Sequence, residues 1–392
     1  MQVIERIAAH HDELTAIRRD IHAHPEIGFH EKRTSALVAE KLKAWGVDEI
    51  TTGIGGTGLV GVIRGTGPGP TVGLRADMDA LPMTEETNLP YASKNPGAFH
   101  GCGHDGHTTM LLGAARYLAE TRNFKGTVHL IFQPAEEGWG GALAMLRDGL
   151  FERFPCDEIY AIHNWPDADL GWVGTTPGVA MAASNNFDIE IVGKGAHGAM
   201  PQQANDPVVV AVAIAQALQT IVSRNVEPLK TGILSVTQIH AGSAYNVIPE
   251  SAALHGTLRS FDNAVQQLMI RRLKEIAQGL GQAFGVTVSV KIIPGFNALA
   301  NSPAHADAAC AIARRIVGAG NVDGHAEPLT GSEDFADMLL KVPGAYLWLG
   351  QSHGPNLHNP KYNFNDAVLP IGASLYARLA EERLAALADA AE

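Results

Sequence analysis

Three cysteines in 392 residues, Cys102, Cys156 and Cys310, are too few and odd in number for a disulfide framework. A reducing compartment is the simpler setting, so a cytoplasmic enzyme is expected. No run approaches eighteen uninterrupted apolar residues, and no membrane span is expected. His10, His11, Asp12, Glu13 and Arg18 interrupt the first twenty residues, which have no apolar leader core and no small-residue cleavage site. Basic residues are in deficit, with 29 Lys plus Arg against 41 Asp plus Glu and a net charge of −12. That balance argues against nucleic acid and anionic membrane as partners.

Common catalytic signatures are also missing. There is no Walker-type Gly-Lys-Ser/Thr. Gly53-Ile54-Gly55-Gly56-Thr57-Gly58 has the glycines of a nucleotide loop but leads into an apolar strand at 59–64. A dinucleotide loop must open a helix, so this reading is rejected.

What is present is a chain of ordinary globular composition, 46% apolar and 18% charged. Its length exceeds the usual single-core limit and implies two domains. Helical periodicity covers 3–23, 31–45, 104–120 and 141–148, and strand patterns cover 59–64, 71–76, 127–132 and 158–162. This alternation predicts an α/β fold with an open, mostly parallel sheet. The rhythm then changes to strand 187–192, helix 207–223, strands 233–239 and 252–259, helix 263–284 and strand 286–292. That βαββαβ order is ferredoxin-like. Helices at 304–317, 332–341 and 367–388 and a strand at 345–349 resume the first pattern. The expected organisation is a catalytic domain of 1–183 and 295–392, interrupted by a lid domain of 184–294. Hinges are expected near 183–185 and 294–295.

The chemistry concentrates in His100-Gly101-Cys102-Gly103-His104-Asp105-Gly106-His107. Nitrogen and sulfur donors at such spacing suit a divalent transition metal. In open α/β sheets ligands bind beyond the carboxyl ends of the strands. The predicted strands run into Asp77-Met78-Asp79, into Gln133-Pro134-Ala135-Glu136-Glu137, into His163-Asn164, and towards His353 and His358. An isolated Glu136-Glu137 pair would read as a solvated acidic turn. Beside Cys102, His104, His163 and His358, one carboxylate reads as a metal ligand and its neighbour as a general base. Cys102 is open to three readings: a buried apolar residue, a nucleophile, or a thiolate ligand, which the surrounding donors favour. Asp77 either caps a turn or orients a metal ligand, and Asp79 has a weaker claim to the same role. His100 and His107 read as structural or outer residues. His197 lies in a Gly-rich turn, and Asn246 and Arg259 could be ordinary sheet-edge residues. Arg259, on an otherwise apolar strand, needs a counter-charge that a substrate carboxylate would provide.

Taken together, these motifs resemble the metal-dependent amidohydrolases that include aminoacylase, hippurate hydrolase and auxin–amino acid conjugate hydrolases. The resemblance rests on His22-Ala23-His24-Pro25-Glu26, Arg75-Ala76-Asp77-Met78-Asp79-Ala80-Leu81-Pro82, and the 100–107 cluster. It extends through Gln133-Pro134-Ala135-Glu136-Glu137-Gly138, Gly195-Ala196-His197, Asn246-Val247-Ile248-Pro249, Gly331-Ser332-Glu333-Asp334-Phe335 and Leu357-His358-Asn359-Pro360. It implies that Cys102, His104, Glu137, His163 and His358 hold one or two divalent metals, with Glu136 as general base. It gives His197 a role in polarising the scissile carbonyl, in its own or a partner subunit's site, and Asn246 and Arg259 contact with the substrate. It also implies a homodimer or higher homo-oligomer formed through the lid. Where many relatives carry His-x-Asp, this chain has Arg75-Ala76-Asp77, and arginine cannot bind a metal. The mixed donor set suits zinc or manganese, and also cobalt or nickel. The implied reaction is hydrolysis of N-acyl amino acids to a carboxylic acid and a free amino acid, assembled by domain closure. A dipeptidase or aminopeptidase, a non-catalytic metal protein and a cysteine hydrolase are the rival readings.

Overall fold

A computed structural model describes residues 1–391. The chain divides into two compact units. The first comprises Met1–Gly178, Ala300–Glu327 and the chain from Asp334 onwards. Its strands are β1 (Glu49–Ile54), β2 (Gly58–Arg64), β3 (Thr71–Asp77), β4 (Thr127–Gln133), β5 (Glu158–Trp165), β6 (Val173–Gly174), β7 (Val322–Asp323) and β8 (Gly344–Gly350). They form one sheet in the order β1-β2-β4-β3-β5-β8-β6-β7. The central run β4-β3-β5-β8 is parallel, and antiparallel pairings occur only towards the two sides. Its strands are almost wholly buried, as expected where helices cover both faces.

Register decides where the chemistry sits. Asp77 pairs with Gln133, and His163 with Trp348, so the carboxyl ends of β3, β4, β5 and β8 share one edge. Helix His104–Thr121 starts at that edge and is buried along nearly its whole length. Met110, Leu111, Ala114 and Leu118 join Leu74, Leu130 and Phe132 of the sheet and Tyr376 of helix Leu369–Ala391 in one core.

The second unit comprises Val179–Leu299 and Pro328–Glu333. Strands Gly232–Ala241, Ser251–Ser260, Ala183–Val192 and Thr287–Pro294 pair antiparallel in that spatial order. Helices Pro207–Arg224 and Asn263–Phe284 complete the βαββαβ arrangement. Side chains alternate across the sheet: Phe187, Ile189, Leu254 and Leu258 are buried with Val210, Ile214, Met269 and Leu273. Asp206 and Asp262 cap the helices, accepting the N–H of Val208 at 2.8 Å and of Ala264 at 2.7 Å. Among the described residues, Pro207–Arg224 is the one helix long and apolar enough to cross a membrane. Val210, Ala211, Ile214, Leu218 and Ile221 bury one of its faces in the core of this unit.

Four details depart from the sequence reading. The helix expected over 3–23 is broken at Ala9–His10 into Glu5–Ala8 and His11–Ala23. The helix expected over 332–341 shrinks to Phe335–Leu339, because Leu329 and Gly331 carbonyls instead accept the N–H of Ala182 in the second unit. Strand β5 continues to Trp165, so His163 lies on the strand rather than beyond it. The hinge positions 183–185 and 294–295 fall within or next to the small sheet, where Asn185 pairs with both Leu258 and Pro294. Bending there would break the ladder, and the units divide instead at Gly178/Val179 and Leu299/Ala300.

Candidate metal centre

Three tight turns bring the donors to the sheet edge. Gly103 has φ +94°, and a Cβ there would lie 2.4 Å from Asn164 Oδ1 and 2.6 Å from the Tyr362 hydroxyl. Only glycine lets Cys102 and His104 approach β5 this closely. Ala135 and His358 have φ of +56° and +63°, left-handed conformations that cost a residue bearing a Cβ. The His358 N–H donates to Gly101 O at 2.8 Å and ties the late loop to the cysteine loop.

Cys102 Sγ lies 3.4 Å from His163 Nε2. Glu137 Oε1 is 3.7 Å from His104 Nε2 and 3.4 Å from His358 Nε2. Donor atoms of Cys102, His104 and His163 lie within 4.8 Å of one another, as do those of Cys102, Glu137 and His358, and those of His104, Glu136 and Glu137. Cys102, His104 and Glu137 are each shared between groups. All five expected ligands, and Glu136 beside them, therefore meet at one place.

Each ring is turned by its other nitrogen. His163 Nδ1 donates to Asn164 O at 2.7 Å, and His104 Nδ1 donates to Asp79 Oδ1 at 3.3 Å. Both imidazoles thus present Nε2 to the cluster, the arrangement that outer partners impose on metal-binding histidines. His104 Nε2 and Glu137 Oε1 are buried without a hydrogen-bond partner. Buried polar atoms are rarely left so. A divalent cation would supply the missing partner, and the thiol, imidazole and carboxylate donors suit one.

The electrostatics agree. Burial alone would lower His104, but Asp77, Asp79 and Glu137 outweigh it and raise the imidazole to about 10. The carboxylates recruit a proton where a cation would serve better, and metal binding would displace it. Burial, reinforced by Glu137, Glu136 and Asp77, pushes the Cys102 thiol well up. A protonated, buried thiol is a poor nucleophile until positive charge is brought to it. Burial pushes His163 well down, leaving a neutral ring.

Asp77 and Asp79 divide the supporting work. Asp77 accepts from His107 Nδ1 at 2.6 Å and from Arg75 Nη1 at 2.8 Å, and lies 3.8 Å from His104 Nε2. Burial opposes its charge, yet His104, His107 and Arg75 hold it well below the usual carboxylate range. Asp79 is the one that orients His104, and its two oxygens also accept the N–H groups of Glu136 and Glu137 at 3.0 Å each. From the sequence, Asp77 is the stronger candidate for orienting a ligand and Asp79 the weaker. The side-chain direction that separates the two is set by the chain's turn after β3. His100 is buried with neither ring nitrogen bonded, and it joins none of the donor groups.

The second unit holds the other expected residues. Strands Ala196–His197 and Val247–Ile248 pair, with His197 opposite Val247, and the Gly198 N–H donates to Asn246 O at 2.8 Å. His197 and Asn246 are therefore neighbours, both exposed. His197 Nδ1 accepts the Ala199 N–H at 3.1 Å, so Nε2 is the ring nitrogen left to donate. Arg259 is half-buried on the outward face of strand Ser251–Ser260 and donates to Ser332 Oγ at 2.7 Å. Among the described residues no carboxylate lies within ion-pair distance of it, and burial lowers its pKa.

A family model described as peptidase family M20/M25/M40 matches residues 73–382. The chain belongs to this family. It is 42% identical over 380 residues to a hippurate hydrolase of Campylobacter jejuni, spanning 97% of this chain and 99% of that protein. An N-acetylcysteine deacetylase of Bacillus subtilis is 36% identical over 373 residues, with 95% and 97% coverage. The crystal structure of a dinuclear metal-binding peptidase of the M20 family from Bacillus subtilis matches with a TM-score of 0.84 and 34% identity, covering 96% of this chain and 99% of that one. This M20 chain is a hydrolase with amidohydrolase relatives, as the motifs implied.

In the M20 site, Asp79 is the outer residue with most to lose. Asp79→Asn should weaken zinc binding about 10–100-fold while the protein stays folded. Competition with a chromophoric chelator reads the affinity; an unchanged value would mean that Asp79 does not orient His104.

Proposed function

We propose that this M20 hydrolase cleaves the amide bond of N-acyl-L-amino acids, hippurate-like or with other acyl or aryl groups, releasing a carboxylic acid and a free amino acid. The observation that carries the substrate class is Arg259, a half-buried cation with no carboxylate partner among the described residues. Burial of a guanidinium without a counter-charge is costly, and a substrate carboxylate would relieve it. Two relatives spanning nearly the whole chain, named for hippurate and for N-acetylcysteine, add support.

Cys102, His104, Glu137, His163 and His358 would hold one or two divalent cations, zinc or manganese ahead of cobalt or nickel. Such a cation supplies Lewis acidity and lowers the pKa of a bound water towards about 7. Glu136, next to Glu137 and buried, takes the proton of the attacking water and later hands it to the leaving amine. His197 offers its Nε2–H to the carbonyl oxygen as charge develops there. Asn246 and Arg259 hold the amino-acid end. A homo-oligomer contact on the second unit is supported by Val209 and Val212, which leave 52% and 56% of their surface exposed on helix Pro207–Arg224.

Arg259→Ala tests the substrate class. It should raise KM for hippurate about 10–100-fold, the worth of a charge-assisted hydrogen bond, with kcat little changed. Hippuramide, which has no carboxylate, should be cleaved equally by both proteins. Equal losses on both substrates would place Arg259 outside carboxylate recognition.

A further inference from the structure

The loop bearing Glu136 and Glu137 is gripped by a carboxylate outside the motifs' expected site residues. Glu31 is fully buried at the start of helix Lys32–Ala44. Its Oε1 accepts the Ala135 N–H at 2.8 Å, and its Oε2 accepts the Thr57 hydroxyl from the turn between β1 and β2. Ala135 is held at φ +56°, a conformation that residues with a Cβ rarely adopt. The next two N–H groups, of Glu136 and Glu137, bind Asp79. Three consecutive backbone donors are thus taken by two carboxylates from separate, earlier segments of the chain.

We propose that Glu31 is a positioning residue: its carboxylate holds Ala135 in the left-handed conformation and so aims Glu136 and Glu137 at the metal centre. The proposal rests on the reading of Glu136 as base and Glu137 as ligand. Left-handed backbone at a non-glycine residue persists only where its surroundings over-determine it, and such strain clusters at functional sites. Glu31 holds the Ala135 N–H, alongside the Gly141 N–H on the Ala135 carbonyl at 3.0 Å and Asp79 on the next two N–H groups. The arrangement is a poor choice for stability alone. Burial, with Asp79 nearby, pushes Glu31 up to about 6, and among the described residues no Lys, Arg or His pairs with it. A buried carboxylate with only neutral donors is expensive. Any apolar side chain could anchor the start of a helix at lower cost, but it could not accept the Ala135 N–H.

Chemistry separates this role from plain packing. Glutamine keeps the length and one acceptor, so Glu31→Gln can still take the Ala135 N–H while its amide donates to Thr57. Alanine loses both contacts. Aspartate is one methylene too short to reach both. Glycine at 135 adopts φ +56° without penalty, so Ala135→Gly removes much of the need for a clamp.

The experiment compares E31A, E31Q, A135G and the E31A/A135G double variant, with Glu136→Gln as a control arm. It reads kcat and KM on hippurate, zinc affinity by equilibrium dialysis, and thermal melting. Misplacement of a base and a ligand predicts that E31A lowers kcat about 10–100-fold with KM nearly unchanged. It also predicts zinc binding weaker by about 10-fold. E31Q should recover most of both. In the A135G background the E31A loss should shrink to about 3-fold or less, the non-additivity expected of coupled neighbours. E31A that melts lower but keeps kcat and zinc affinity within about twofold would overturn the proposal, as would equal losses in both backgrounds. If E31A does not fold, Glu31→Asp is read by the same criteria. Should Glu136→Gln keep full activity, the base assignment fails, while the zinc affinities still decide whether Glu31 aims Glu137.

Discussion

Glu136→Gln should lose hydrolysis and keep its metal. Glutamine preserves the size of the side chain and its buried place beside Glu137, but it cannot accept a proton from water at neutral pH. Removal of a general base costs about 10²–10⁴-fold in kcat. In the proposed mechanism this residue would serve both the attack and the departure of the amine, so the upper part of that range is expected, about 10³-fold or more. Metal content should not change, because Glu137, not Glu136, presents the unpartnered oxygen 3.7 Å from His104 and 3.4 Å from His358. Steady-state hydrolysis beside metal analysis of the same sample checks both halves. A variant that lost metal along with activity would reassign Glu136 as a ligand.

Removal of the metal is the second large effect. Exhaustive dialysis against a chelator should reduce hydrolysis by at least about 100-fold, and zinc or manganese added back should restore it. Cys102 is buried with its thiol pushed well up, and His104 is raised to about 10 by the carboxylates around it. Without a cation the cluster holds protons where the chemistry needs lone pairs. A cysteine hydrolase predicts the opposite pattern, in which alkylation of Cys102 stops turnover and chelation does not. Activity measured after each treatment distinguishes the two.

The main outline of this molecule is legible in its sequence for physical reasons. Parallel strands buried on both faces read as apolar runs, and the residue that ends each run falls at one edge of the sheet. The sequence pattern sets Asp77, Gln133 and His163 at that edge, and the register of β3, β4, β5 and β8 puts them there. The βαββαβ insert was legible because its strand and helix patterns follow one another in that order along the chain. What was not legible depends on long-range contacts. That Asp79 bonds His104 Nδ1 while Asp77 bonds His107 turns on which way each carboxylate faces. The hydrogen bond from Ala135 to Glu31 spans 104 residues, and no local pattern announces it. The segment Pro328–Glu333 joins the second unit through backbone bonds to Ala182, which sequence periodicity cannot register. Short strands such as Val173–Gly174 and Val322–Asp323 are two residues long and carry no detectable period.

The most direct test of the account is a single assay of the zinc- or manganese-loaded protein against hippurate, N-acetyl amino acids and unblocked dipeptides, reading release of the free amino acid. The account predicts cleavage of the N-acyl amino acids, with unblocked dipeptides slower by at least about 100-fold, since no group assigned to the site is there to receive an α-ammonium. Faster cleavage of dipeptides, or release of amino acid from none of the N-acyl compounds, would contradict it.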